Sequence, residues 1–280
     1  MKTILLTGSE GFIGTHLCDS LSKIKKFKIK KVKRSDGNIV KSSTWKKFPK
    51  YKIVIHLAAK NFVPKSWKNI EDFFEVNVKG TIQALDYCRK KKSRLIFVSS
   101  YMYGNAKKIP ISERETVKPT NPYTMSKKIA EDICRYYASY YGVKVTIIRP
   151  FNIYGFGQKN EFLIPTIINQ FANKKIIKVN DLRPKRDFIY VKDFVEAIIK
   201  TISLNKNFEI INIASGKSYS VRSIIKIIRK LKKDNLKIKS LNKRRTDEIF
   251  DTRANIYKAK KLLKWKPTWS FTQGLEDSYG

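Results

Sequence analysis

Thr7-Gly8-Ser9-Glu10-Gly11-Phe12-Ile13-Gly14 lies between an apolar run at residues 2–6 and a stretch of helical period at 13–24. Gly8, Gly11 and Gly14 give the spacing G-x-x-G-x-x-G. Glycines let the chain turn tightly, and they let backbone N–H groups approach a pyrophosphate at a helix N-terminus. A turn of this kind after the first strand of an alternating pattern reads as a dinucleotide cradle, with Phe12 and Ile13 at the mouth of the helix.

Outward from the turn, the pattern alternates. Strands are expected at 29–33, 52–57, Arg94–Val98 and 143–148, and helices at 70–90 and Pro122–Tyr141, the last opening on Pro122 and closing before Gly142. Short β-rich runs separated by helices predict an α/β fold, a Rossmann-like doubly wound parallel sheet. Residues 1–150 are expected to form this dinucleotide-binding domain, and 151–280 mainly a smaller C-terminal substrate-binding lobe. In that lobe helices are expected at 162–171, 192–203, 221–231 and 256–263, and strands at Ile176–Val179, 187–191 and 210–214. Part of 186–214 is expected to rejoin the main sheet.

Composition narrows the class. A chain of 280 residues, 42% of them hydrophobic, buries a full core. No apolar run approaches the roughly 18 residues of a membrane span, and no secretory h-region follows Lys2. Three scattered cysteines, Cys18, Cys88 and Cys134, fit neither a disulfide framework nor a zinc site, which points to a reducing cytoplasm. His16 and His56 lack partners at metal-ligand spacing and read as structural. The net charge of +37 is spread along the chain, so it argues for a lysine-rich surface over a nucleic-acid stripe. It favours small anionic ligands by steering.

The second strand ends in Lys33-Arg34-Ser35, with Asp36 just beyond. An acidic residue at the strand end holds the 2′-hydroxyl of NAD, whereas cations suit a 2′-phosphate, so Arg34 favours NADP over NAD.

Five Tyr-x-x-x-Lys pairs occur, and such a pair puts a phenol and an ammonium one helical turn apart. Tyr123/Lys127 is selected by position. It sits in the first turns of the helix that follows the strand ending at Ser99-Ser100, and ligands of parallel sheets bind at the carboxyl ends of strands.

Taken together, these motifs resemble those of the extended short-chain dehydrogenase/reductase family, in its nucleotide-sugar epimerase/dehydratase/reductase branch. Added to the turn and the pair are His56-Leu57-Ala58-Ala59, Asn77-Val78-x-Gly80-Thr81, Arg149-Pro150-Phe151-Asn152-Ile153-Tyr154-Gly155, Arg186-Asp187-Phe188 and Trp265-Lys266-Pro267. The resemblance implies Tyr123 as general acid/base, Lys127 on the nicotinamide ribose and a serine hydroxyl on the sugar oxygen. Counted from the strand that serine is Ser100; counted back from Tyr103-Gly104 it is Ser99, and Ser100 is favoured. Leu57, Ala58, Ala59, Lys60 and Pro150 are implied at the cofactor, with Asn77 supporting the strand ends. On the substrate side it implies Asn152 and Leu163, Arg186 and Arg244 at the diphosphate, and Asp247 on a ribose. Arg183 and Lys185 stand close enough in sequence to share the role of Arg186.

By this resemblance the substrate is a nucleotide-diphosphate sugar reacting at C4, and two copies pair as a homodimer. A 4,6-dehydratase needs an acid and a base beside the serine, where this chain has Tyr101 and Met102. A 4-keto-6-deoxysugar reductase is favoured over a 4-epimerase with tightly bound NAD. A non-catalytic sensor or nucleic-acid-binding module is the reading of another class, and the intact Ser/Tyr/Lys set argues against it.

Overall fold

The computed structural model describes residues 1–243 and 248–279. The first half runs β1 (Lys2–Thr7), α1 (Phe12–Ser22), β2 (Phe27–Val32), α2 (Ser42–Lys46), β3 (Ile53–His56), α3 (Val63–Ser66), α4 (Ile70–Phe74), α5 (Gly80–Lys91), β4 (Arg94–Val98), α6 (Pro122–Tyr141) and β5 (Val145–Pro150). The second runs β6 (Asn152–Tyr154), α7 (Leu163–Asn173), β7 (Ile176–Val179), β8 (Lys185–Tyr190), α8 (Val191–Thr201), β9 (Phe208–Ile213), β10 (Ser218–Ser220), α9 (Val221–Lys232), β11 (Lys237–Ser240), β12 (Asp251–Thr252), α10 (Tyr257–Leu263) and α11 (Phe271–Tyr279).

The main sheet is parallel, in the order β2-β1-β3-β4-β5-β9. The strand order reverses between β1 and β3, and a crevice opens there at the strand ends. β3 and β5 are buried throughout, as strands covered on both faces must be. One apolar layer packs Leu17, Leu21, Phe194 and Ile198 beneath the sheet. The other packs Leu85, Cys88, Ala130 and Cys134 above it.

Within 186–214, β9 adds to the main sheet, but β8 joins a second sheet with β10, β12 and β6. Asp187 explains why β8 is held there. Its buried carboxylate accepts from the backbone N–H groups of Ser215, Gly216 and Ala254, at 2.9, 2.9 and 3.1 Å, which fastens two loops to this strand.

The helix expected at 70–90 is interrupted. Glu75–Lys79 forms a π turn between α4 and α5. The wider turn carries Asn77, whose side chain leaves the helix to bind a neighbouring loop, a common use of such bulges. The strands β6, β10, β11 and β12 were not foreseen; each has four residues or fewer.

Candidate active site

The glycine turn is shaped by backbone contacts. Gly8 has φ +70°, and a Cβ there would stand 2.7 Å from the amide nitrogen of Ala58. A Cβ on Gly14 would stand 2.1 Å from the carbonyl oxygen of Gly8. Gly11 differs: a Cβ there would meet only the Gly8 oxygen, at 3.3 Å, and would project into the open cradle. α1 begins there with no side-chain cap and no acidic residue in its first turn, so its N–H groups are free for an anion. These residues fit a dinucleotide pyrophosphate. Phe12 and Ile13 are half-buried at the start of α1, where the Phe12 ring meets His16 edge-on.

Leu57, Ala58, Ala59 and Lys60 follow β3 and flank the same crevice. Thr7 Oγ1 lies 2.8 Å from His56 Nδ1 and accepts from the Ala58 N–H at 3.3 Å, which ties the two strand ends. Asn77 clamps the next residue. Its Oδ1 accepts from Lys60 N–H at 2.8 Å, and its Nδ2 donates to the Lys60 carbonyl at 3.0 Å and to Ser126 Oγ at 2.9 Å. The Lys60 ammonium pairs with Asp72.

Beyond β2, Lys33, Arg34 and Ser35 are exposed. Asp36 is occupied by its own turn: it accepts from Lys33 N–H at 2.8 Å and from Lys30 Nζ at 3.0 Å. The Arg34 guanidinium makes no hydrogen bond or ion pair among the described residues.

α6 presents Tyr123 and Lys127, the pair expected to do acid–base work. Asn121 caps it by accepting from Thr124 N–H at 2.9 Å, Pro122 starts it, and Gly142 ends it in the left-handed conformation. Tyr123 and Lys127 face β4 from the first two turns. Lys127 is 2% exposed, and its Nζ donates to the Val98 carbonyl at 2.7 Å above the Phe97 ring. Burial pushes its pKa down to about 8, against the pull of the Glu131 carboxylate one turn on. Burial pushes the Tyr123 phenol up to about 12, and a hydrogen bond with Ser100 opposes that rise. Ser100 is half-buried and its hydroxyl donates to the Tyr101 carbonyl at 3.4 Å, whereas Ser99 is buried and its hydroxyl has no hydrogen-bond partner among the described residues.

The structure does not bring every substrate-side candidate into the open. Asn152 is committed within the chain: Oδ1 accepts from the Tyr101 hydroxyl at 3.2 Å, and Nδ2 donates to the Asp187 carbonyl at 3.2 Å. Arg186 donates to Glu248 Oε1 at 2.6 Å and to the Lys185 carbonyl at 2.8 Å, so its fork is engaged at home. Arg183 pairs with Asp181. Leu163 is half-buried at the start of α7, and Pro150 ends β5, with its carbonyl accepting from Tyr101 N–H. Arg244 and Asp247 lie outside the described residues.

A buried polar chain behind the site was missed. The guanidinium of Arg149 grips Glu131 through Nε at 3.0 Å and Nη2 at 2.6 Å, and donates to the Tyr103 hydroxyl at 2.9 Å. That hydroxyl donates to Asn212 Oδ1 at 2.6 Å. The chain fastens α6 to β5, to the loop after Ser100 and to β9. Two signals were present: a lone Arg in an apolar strand, and Glu131 four residues after Lys127 on one helix face.

A family model described as the NAD dependent epimerase/dehydratase family matches residues 4–214. The GDP-6-deoxy-D-talose 4-dehydrogenase of Aggregatibacter actinomycetemcomitans is 34% identical over 247 residues, covering 84% of this chain and 82% of that protein. Among solved structures, RMD from Pseudomonas aeruginosa complexed with NADPH superposes with a TM-score of 0.91 at 26% identity, covering 99% of this chain and 97% of the other. A variant UDP-glucuronic acid 4-epimerase from Bacillus cereus, in complex with UDP-4-deoxy-4-fluoro-glucuronic acid and NAD, gives 0.92 at 27%, covering 99% and 98%. No helix among the described residues is long and apolar enough to cross a membrane.

Proposed function

The chain belongs to the NAD dependent epimerase/dehydratase family, whose members here are NAD(P)-dependent enzymes of nucleotide sugars, and on that premise we propose that it reduces a nucleotide-linked 4-keto-6-deoxysugar at C4 with NADPH. The observation that carries the cofactor choice is the strand end after β2. Asp36 is consumed by Lys30 and by its own turn, while Arg34 and Ser35 stand exposed where a 2′-phosphate would lie. The talose 4-dehydrogenase and the NADPH-bound relative support a redox reaction with net turnover of cofactor.

When bound, the nicotinamide supplies the hydride that goes to C4. Tyr123 gives its proton to the C4 oxygen, so the carbonyl becomes a hydroxyl and the resulting phenolate takes a proton back from solvent. With its pKa near 12, the Tyr123 phenol carries the proton that a reduction needs at neutral pH. In this reading Ser100 orients that hydroxyl and the sugar oxygen, and the Lys127 ammonium, held on the Val98 carbonyl one turn on, is the cation placed to stabilise the phenolate. Gly8, Gly11 and Gly14 seat the pyrophosphate. Tyr101 and Met102 supply no carboxyl group for a dehydration.

The epimerase-like neighbour with NAD favours the second reading, a 4-epimerase that retains its cofactor. Exposed Tyr136, Tyr140 and Tyr141 on α6 support pairing of two copies through that helix. The deciding experiment has two parts. Mass spectrometry of small molecules released from purified protein is expected to show no retained NAD. NADPH consumption with GDP-4-keto-6-deoxy-mannose is expected in wild type and lost in Tyr123→Phe. Stoichiometric NAD, or turnover that survives Tyr123→Phe, would overturn the reading.

A further inference from the structure

Tyr101 follows Ser100 and takes no part in the proton transfer above. Its ring lies flat on Phe151, with centroids 4.8 Å apart and planes 15° apart. Its N–H donates to the Pro150 carbonyl at 3.1 Å, and its hydroxyl donates to Asn152 Oδ1 at 3.2 Å. Asn152 is itself anchored to the Asp187 carbonyl of β8. The phenol is therefore held at its backbone, its face and its tip. Phe151 beneath it is 3% exposed, but Tyr101 is only half-buried. The Ser100 hydroxyl donates to the Tyr101 carbonyl at 3.4 Å, so the phenol leaves the chain at the same strand end as Ser100, and its nearness opposes ionisation of Tyr123.

A phenol has one proton and two lone pairs. The proton of Tyr101 is committed to Asn152, which leaves its oxygen as a fixed acceptor beside the reacting centre. Resting on the reductase reading, we propose that Tyr101 is a specificity-determining residue whose oxygen accepts a hydrogen bond from the C3 hydroxyl of the sugar. In a 4-keto-6-deoxysugar the reacting carbon has two neighbours. C5 carries the ring oxygen and a methyl group, so C3 holds the one donor next to C4. A sugar lacking that hydroxyl leaves the oxygen unmatched and is discriminated against.

Tyr101→Phe keeps the ring and its stacking and removes only the oxygen. Wild-type turnover of GDP-4-keto-6-deoxy-mannose is measured first; its absence sinks the reductase reading itself. Given turnover, Tyr101→Phe is expected to raise KM for the ketosugar by about tenfold, with KM for NADPH and kcat little changed. The wild type is expected to prefer this substrate over its 3-deoxy counterpart, and the variant to treat the two alike. An unchanged KM, or retained preference, overturns the inference while leaving the reductase intact. A fall in kcat at constant KM also overturns it, because the oxygen would then act on the reacting atoms.

Discussion

The glycine turn allows stability and cofactor binding to be separated by single methyl groups. Gly14→Ala places its Cβ 2.1 Å from the Gly8 oxygen and 2.7 Å from Ser9 Cα, and both are backbone atoms that no rotamer change can move. Relief requires α1 to shift from the turn, a cost of about 3 kcal/mol at the upper end of overpacking. Gly8→Ala meets the Ala58 nitrogen at 2.7 Å and adds a left-handed backbone penalty of about 1–2 kcal/mol, so its total is comparable. Gly11→Ala has neither problem. Gly11 is extended, with φ −82° and ψ 169°, and its new Cβ meets one atom at 3.3 Å. Its stability is expected within about 0.5 kcal/mol of wild type. Yet that methyl projects into the cradle, so NADPH affinity is expected to fall at least about tenfold, the measure of one displaced charge-assisted contact. Urea unfolding reads the first quantity and fluorescence titration with NADPH the second. A stable Gly11→Ala protein that binds NADPH with the wild-type Kd would refute the placement of the pyrophosphate over this turn.

Two further outcomes are expected. Arg34→Ala should weaken NADPH about ten- to a hundredfold and leave NADH unchanged, by titration of each cofactor; equal weakening of both would remove Arg34 from the 2′-phosphate. His56 is fully buried and is pushed down to about 3, first by burial and then by the Lys127 charge. The unfolded chain therefore binds the extra proton below about 6.5, and stability is lost as pH falls from there toward about 3. Between pH 7 and pH 5 this amounts to about 2 kcal/mol at about 1.36 kcal/mol per pKa unit. The stability difference between wild type and His56→Gln should narrow by that amount in urea melts, and parallel pH profiles would contradict it.

Local rules were enough for much of the chain. The glycine spacing, the apolar runs of β1, β3, β4 and β5, and the Asn121-Pro122 start of α6 each fix their own element, because turn chemistry, capping and periodicity act over a few residues. Element order alone was also enough to place Lys127 against the carboxyl end of β4, where its ammonium donates to the Val98 carbonyl. Short strands such as β6 and β12 carry no period of their own and exist through their pairing with β8.

The sequence by itself determined the alternating sheet, the turn at its first strand end and the residue types that converge there, because backbone conformation and solvent preference are largely local. Only the tertiary structure decided which of those groups are free. It left Ser100 half-buried and Ser99 fully buried, spent Asp36 on Lys30 while leaving Arg34 exposed, and closed Arg186 on Glu248. Such outcomes depend on which partners the packed chain brings into contact, six residues apart for Asp36 with Lys30 and 62 for Arg186 with Glu248, and hydrogen bonds and charges act at contact distance with no mark in the local pattern.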